Sequence, residues 1–143
     1  MATILVLTHG PLSQALLDTC EMILGDVGAA TALSFQPGEG PEDLTAKLEP
    51  IVAAAALDGL LCLTDLQGGT PARVAASLVP SSHLDVVCGV NLPMVLEVLA
   101  AGDMPLEDLT VLAVTAGRDS VIDLGGALRR RLDSIPLQEG ATR

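Results

Sequence analysis

A doubly wound α/β fold is what this chain predicts: a mainly parallel sheet of strand order 2-1-3-4, flanked by helices. Three observations lead there. Apolar runs of strand length alternate with segments whose apolar residues recur at helical spacing, the pattern that builds parallel sheets through crossover helices. The runs are continuous rather than alternating, as Ile4-Leu5-Val6-Leu7 and Leu60-Leu61-Cys62-Leu63 show, which fits strands covered on both faces. At 143 residues the chain is about one domain in size, with room for a substantial core.

The elements follow in order. Residues 4–7 form the first strand. Gly10-Pro11 opens the first helix, because proline is tolerated at a helix start. Leu12, Leu16, Cys20 and Ile23 share one face of it, and Gly25 closes it. A second strand is expected over residues 30–35. The turn Gly38-Glu39-Gly40-Pro41 leads into the second helix, whose Glu42 and Asp43 complement the helix dipole. Leu44, Leu48, Ile51 and Ala55 form its core face. Strand three covers residues 60–64, helix three starts at Thr70-Pro71, and strand four covers residues 85–88. Helix four starts at Asn91-Leu92-Pro93 and ends by Gly102. Pro105-Leu106-Glu107-Asp108 starts a fifth helix over residues 106–118, on which Leu109, Leu112, Ala113 and Ala116 keep helical spacing. A short extended piece follows over residues 121–124. Residues 1–134 make one domain and residues 135–143 a mobile tail.

Composition narrows the function. Half of the residues are apolar, yet no apolar run reaches the roughly 18 residues needed to span a bilayer. The short apolar stretch at the N-terminus has no basic segment before it and reads as a strand, not a signal peptide, so a cytoplasmic protein is expected. A formal net charge of −11, with only Lys47 and Arg73 as bases in residues 1–117, argues against nucleic acid or an anionic membrane as partner and fits a basic one. Phe35 is the only aromatic residue, so a flavin or nucleotide base has almost nothing to stack on. Cys20, Cys62 and Cys88 are far apart without metal-ligand spacing, and Cys62 and Cys88 fall inside apolar strands as small buried hydrophobes. Neither a metal nor an organic cofactor is expected.

Two strand ends carry the chemistry. His9 stands where the first apolar run stops, and Asp65 stands in the equivalent place after the third strand. The strand order 2-1-3-4 makes strands one and three neighbours at the switch point, where ligands gather at the carboxyl ends of strands. A histidine nucleophile must be neutral with its attacking nitrogen free. A carboxylate that accepts from Nδ1–H fixes that tautomer and leaves Nε2 open. Gly68-Gly69-Thr70-Pro71, leading into helix three, offers backbone N–H groups and the Thr70 hydroxyl to phosphoryl oxygens. His83 is read as an exposed loop residue.

Assembled, these residues resemble the enzyme IIA component of the bacterial sugar phosphotransferase system, mannose family. Thr8-His9-Gly10 is similar to the family's active-site histidine segment, and Glu21-Met22-Ile23-Leu24-Gly25 to the end of its first helix. Phe35-Gln36-Pro37-Gly38-Glu39 is similar to the turn before helix two, and Asp65 with Gly68-Gly69-Thr70-Pro71 to the aspartate and glycine turn beside the histidine. Gly89-Val90-Asn91-Leu92-Pro93-Met94 and Ala116-Gly117-Arg118 match two later segments. The resemblance implies that phosphorylated HPr donates its phosphoryl group to His9 at Nε2 and that a IIB component receives it. Asp65 would hold and stabilise the ring, with Gly69 and Thr70 near the phosphoryl group. It also implies a homodimer that exchanges a C-terminal strand, for which residues 121–124 are the candidate. Contact with a membrane would be indirect, through a transporter complex. Met22, Asn91 and Met94 are candidate partner contacts. Gln67 and Ala72-Arg73 replace residues that are often aromatic, and aromatic-Asn, in the family. A cation in the first turn opposes the helix dipole, so Arg73 is a candidate contact for phosphate or an acidic partner.

The alternative is a regulatory protein of the same fold, whose His9 phosphorylation state another protein senses without sugar transport. A receiver domain is disfavoured because Thr8-His9 stands where its acidic pair belongs. A flavodoxin lacks its aromatic walls here, and a metal hydrolase needs more ligands than two separated histidines and Asp65 supply.

Overall fold

The computed structural model describes residues 1–136, and among them four parallel strands lie in the order β2-β1-β3-β4. β1 spans Thr3–His9, β2 Thr31–Phe35, β3 Leu60–Thr64 and β4 Leu84–Cys88. The helices are α1 (Leu12–Leu24), α2 (Pro41–Ala54), α3 (Thr70–Leu78), α4 (Leu92–Ala100), α5 (Leu106–Asp119) and α6 (Leu124–Asp133).

Period-two alternation decides which layer each strand residue joins. Ile4 and Val6 of β1, with Leu61, Leu63 and Val87, pack beneath Leu17, Cys20, Val95, Val98, Leu109 and Ala113 of α1, α4 and α5. Leu5 and Leu7, with Leu60 and Cys62, point the other way, onto Leu44, Leu48, Val74 and Ala75 of α2 and α3. Both faces are therefore apolar, which is why the strands read as unbroken runs. Right-handed crossovers explain the split. The chain steps one way from β1 to β2, placing α1 on one face, then reverses through β3 to β4, placing α2 and α3 on the other. Each leucine buried in these layers contributes about 1.5–3 kcal/mol of transfer free energy. No helix among the described residues is long and apolar enough to cross a membrane.

Three expectations need correction. Of the expected face of α1, Cys20 is fully buried and Leu16 packs against the core, but Leu12 is 42% and Ile23 54% exposed, and Ser13 and Leu17 complete the buried face. The helix is anchored by a polar residue that apolar spacing does not register. The Ser13 N–H donates to the Thr8 hydroxyl at 2.8 Å, supplying the cap that Pro11 cannot, and Ser13 Oγ lies 3.2 Å from Ser34 Oγ. On α2, Val52 is buried where Ile51 was expected, and Ile51 packs at the edge of the same cluster. Finally, residues 121–123 form no strand within the chain, and Leu124 begins α6. Asp123 accepts the Gly126 N–H at 2.8 Å, and Arg130 and Arg131 lie in the last turn, so α6 is capped and charge-matched at both ends despite Gly125-Gly126. Most of the expected tail, residues 137–143, lies outside the described residues.

Candidate active site

β1 and β3 pair in register as far as Leu7 opposite Thr64; β3 then ends, delivering Asp65, while β1 runs on beside β2 to His9 at the same carboxyl edge of the sheet. There Asp65 Oδ2 accepts two hydrogen bonds from His9, from the backbone N–H at 3.0 Å and from Nδ1 at 2.9 Å. Asp65 Oδ1 accepts the Leu66 N–H at 2.9 Å. An ionised carboxylate only accepts, so the neutral His9 ring carries its proton on Nδ1 and presents Nε2 with a free lone pair. Partial burial by itself raises the Asp65 carboxyl. The hydrogen bonds from the His9 ring and backbone, with its charge, outweigh that and hold the group below its ordinary 3.8. The Asp65 side chain is 17% exposed while that of His9 is 44% exposed, an anchored carboxylate beneath an accessible imidazole.

The glycine turn closes the other side. Gly68 has φ +81°, a left-handed conformation that favours glycine. Gly69 has an ordinary extended backbone, and its lack of a side chain serves another purpose: a Cβ there would lie 2.8 Å from His9 Cε1. Its N–H donates to the Leu66 carbonyl at 3.1 Å. That corrects the sequence expectation, because the Gly69 amide is already committed and its contact with the site is steric. The Arg73 N–H makes the first helical bond, to Gly69 O. The N–H groups of Thr70 and Ala72 precede that bond and have no acceptor within α3.

The remaining candidates separate. Arg73 is exposed and lines a cavity of about 250 Å³ with Pro41, Thr45 and Ser77, between α2 and α3. Met94 is 3% exposed and belongs to the core, which removes it as a partner contact. Asn91 is committed at both ends of its amide: Oδ1 accepts the Met94 N–H at 3.1 Å and Nδ2 donates to the Gly117 carbonyl at 3.1 Å. It joins α4 to α5. Met22 is 84% exposed, but it sits ten residues along α1 from Leu12, about 15 Å of helix away from the His9 edge.

Two residues at the site escaped sequence reasoning. Phe35 ends β2 in register with His9, and their rings meet edge to face with centroids 5.8 Å apart. The position of the chain's one aromatic residue at a strand end was the available signal. Thr8, fully buried, donates its hydroxyl to the His9 carbonyl at 3.2 Å while capping α1, so the backbone at His9 is tied to a helix. The cysteines take no part. Cys20 and Cys62 are buried, and burial, with Cys88 nearby, pushes the Cys62 thiol up to about 12.

Known proteins resemble this chain in sequence and fold. The family model described as "PTS system fructose IIA component" matches residues 3–114. The chain is similar to the "PTS system mannose-specific EIIAB component" of Escherichia coli, 38% identical over 122 residues that cover 82% of this chain and 38% of that protein. It thus spans well under half the length of that relative. The "PTS system fructose-specific EIIA component" of Bacillus subtilis is 34% identical over 112 residues, covering 76% of this chain and 77% of its own. Among solved structures, the "Mannose/sorbose specific IIA subunit of phosphotransferase system" from Enterococcus faecalis matches with a TM-score of 0.80 at 29% identity, over 85% of this chain and 92% of that one.

Proposed function

The chain belongs to the mannose family of PTS enzyme IIA components, and from that premise we propose that it is a cytoplasmic phosphoryl relay, loaded on His9 by phospho-HPr and unloaded by a IIB component. The observation that carries the proposal is the 2.9 Å bond between His9 Nδ1 and the Asp65 carboxylate, which leaves Nε2 free at an open sheet edge. In the forward step the Nε2 lone pair attacks phosphorus as the donor's bond to phosphorus breaks, and the donor keeps that electron pair. The Nδ1 proton stays in place. The ring becomes positive as the new N–P bond forms, and Asp65 is the preorganised counter-charge. The Thr70 and Ala72 amides and the Thr70 hydroxyl receive phosphoryl oxygens at the start of α3. Transfer to IIB runs the same steps in reverse.

Incubation with phosphoenolpyruvate, enzyme I and HPr is expected to give an acid-labile, alkali-stable phosphoryl adduct that His9→Ala abolishes. Failure of the wild type to take up phosphate from a competent phospho-HPr would refute the relay. An adduct that persists in His9→Ala would place the acceptor elsewhere.

The proposal includes a homodimer. α6 exposes Leu124, Leu128 and Leu132, with Ile135 just after it, at 52–67%, and the preceding Val121 and Ile122 are 81% and 69% exposed. A ten-residue helix is marginal when nothing covers it. β4 is an edge strand, and beside it Val87, Cys88, Val114 and Val121 border a cavity of about 340 Å³. Residues 121–123 of a second copy, the non-helical stretch before α6, are the segment proposed to add there, and the three arginines of α6 suit an otherwise acidic partner copy. Light scattering is expected to return twice the chain mass for the wild type and a shift toward the single-chain mass for Val121→Asp. A wild type of single-chain mass at micromolar concentration would overturn the dimer.

A further inference from the structure

We propose that Phe35 is a positioning residue for the nucleophile, fixing the plane of the His9 ring; the inference rests on His9 as the phosphoryl acceptor. The bond from Nδ1 to a single carboxylate oxygen holds one corner of the ring but leaves it able to pivot about that bond, and the side chain is 44% exposed. Two further contacts are needed to fix where Nε2 points. One is Gly69, close enough that a Cβ on it would stand 2.8 Å from Cε1. The other is Phe35, edge to face at 5.8 Å and 74°.

Phe35 is suited to this by how it is itself held. It pairs with His9 in the β1–β2 ladder, and the Gly10 N–H donates to its carbonyl at 2.9 Å, so the backbones on both sides of the contact are fixed together. Its ring is partly buried against the core layer that contains Leu5, Leu7 and Leu44. A wall anchored in a core is rigid, and a ring resting on it loses little further freedom when it reacts. The chain has no tyrosine or tryptophan to substitute for it.

The test compares Phe35→Leu with Leu33→Ala, a change on the same strand in the same core layer that does not touch His9. Phosphoryl uptake from phospho-HPr is measured by rapid quench at a temperature where thermal melts show all three proteins folded. Phe35→Leu is expected to lower kcat about 2- to 12-fold, the span of edge-to-face aromatic pairs expressed as a rate, with KM unchanged. Nitrogen-15 spectra of its His9 should show the Nδ1–H tautomer losing population, and Leu33→Ala should keep the wild-type rate. An unchanged kcat in Phe35→Leu overturns the inference. A rise in KM alone also overturns it, because Phe35 would then touch the donor, not the ring. An equal loss in Leu33→Ala reduces Phe35 to strand stability. A wild type that accepts no phosphate overturns the relay itself, whereas acceptance with an unaltered Phe35→Leu rate overturns this inference alone.

Discussion

Asp65→Asn is expected to slow phosphoryl uptake by His9 about 10²- to 10⁴-fold while the protein stays folded. One carboxylate oxygen serves both the His9 backbone N–H and Nδ1, and the other serves Leu66. An asparagine has one acceptor oxygen to offer against these three donors. If that oxygen faces His9, the amide NH₂ meets the Leu66 N–H, donor against donor. If the amide turns, the NH₂ faces Nδ1 and selects the tautomer with Nε2 protonated, which cannot attack. Either way the counter-charge to the positive ring is lost. The two failures add, which is why the expected loss exceeds that of a single hydrogen bond.

The pH dependence has a definite sign. The Asp65 carboxyl lies below 3.8 when folded, so its stabilising contribution is complete above that value and disappears as pH falls through the lower folded value. Through the neutral range the group is ionised and its service to His9 constant. A rate within threefold of wild type in Asp65→Asn would remove Asp65 from the mechanism. A variant that does not fold would show that the carboxylate chiefly ties β1 to β3.

How far the site was legible follows from what each residue depends on. His9 and Asp65 were readable because strand ends and parallel order are written in apolar periodicity, and the switch point follows from the order. Residues whose roles depend on contacts across the fold were not. Met94 looked like an adaptable partner contact, but its surroundings, α5 pressed close at Gly117, are set by helix packing that no local spacing records. On α1, Cys20 and Leu16 were legible, but Ser13 was not, because its partner, Thr8 Oγ1, lies on another element. α6 was not anticipated: its cap, Asp123, and its closing arginines stand in the sequence, but Gly125-Gly126 in its first turn weaken the helical signal. Its apolar stripe finds no cover within the described chain, so the pattern alone could not say what it packs on.

Gly69→Ala should separate activity from stability more sharply than any other change at this site. Its backbone, φ −71° and ψ 162°, is one that alanine adopts freely, so no dihedral strain arises. Removing a glycine from the unfolded chain even favours the folded state by about 0.4–1 kcal/mol where the new side chain fits. The methyl group does not fit here. It would stand 2.8 Å from His9 Cε1 and 3.2 Å from the Leu66 carbonyl oxygen. The carbonyl is held by the turn, so the imidazole is the group that gives way. A ring displaced from Gly69 draws Nδ1 off Asp65 and swings Nε2 out of line, and a misplacement of about 1 Å in a reacting group costs on the order of 10²-fold. The expected result is therefore a melting temperature at or near wild type with phosphoryl uptake down about a hundredfold. Gly68→Ala provides the contrast: nothing crowds its Cβ, but φ +81° strains it, so its cost of about 1–2 kcal/mol falls on stability first. Melting curves and quench-flow rates on the two variants separate the roles. A Gly69→Ala protein that takes up phosphate at the wild-type rate would mean that the ring has a second productive position, and that the turn is glycine-rich for the benefit of the phosphoryl group or a partner.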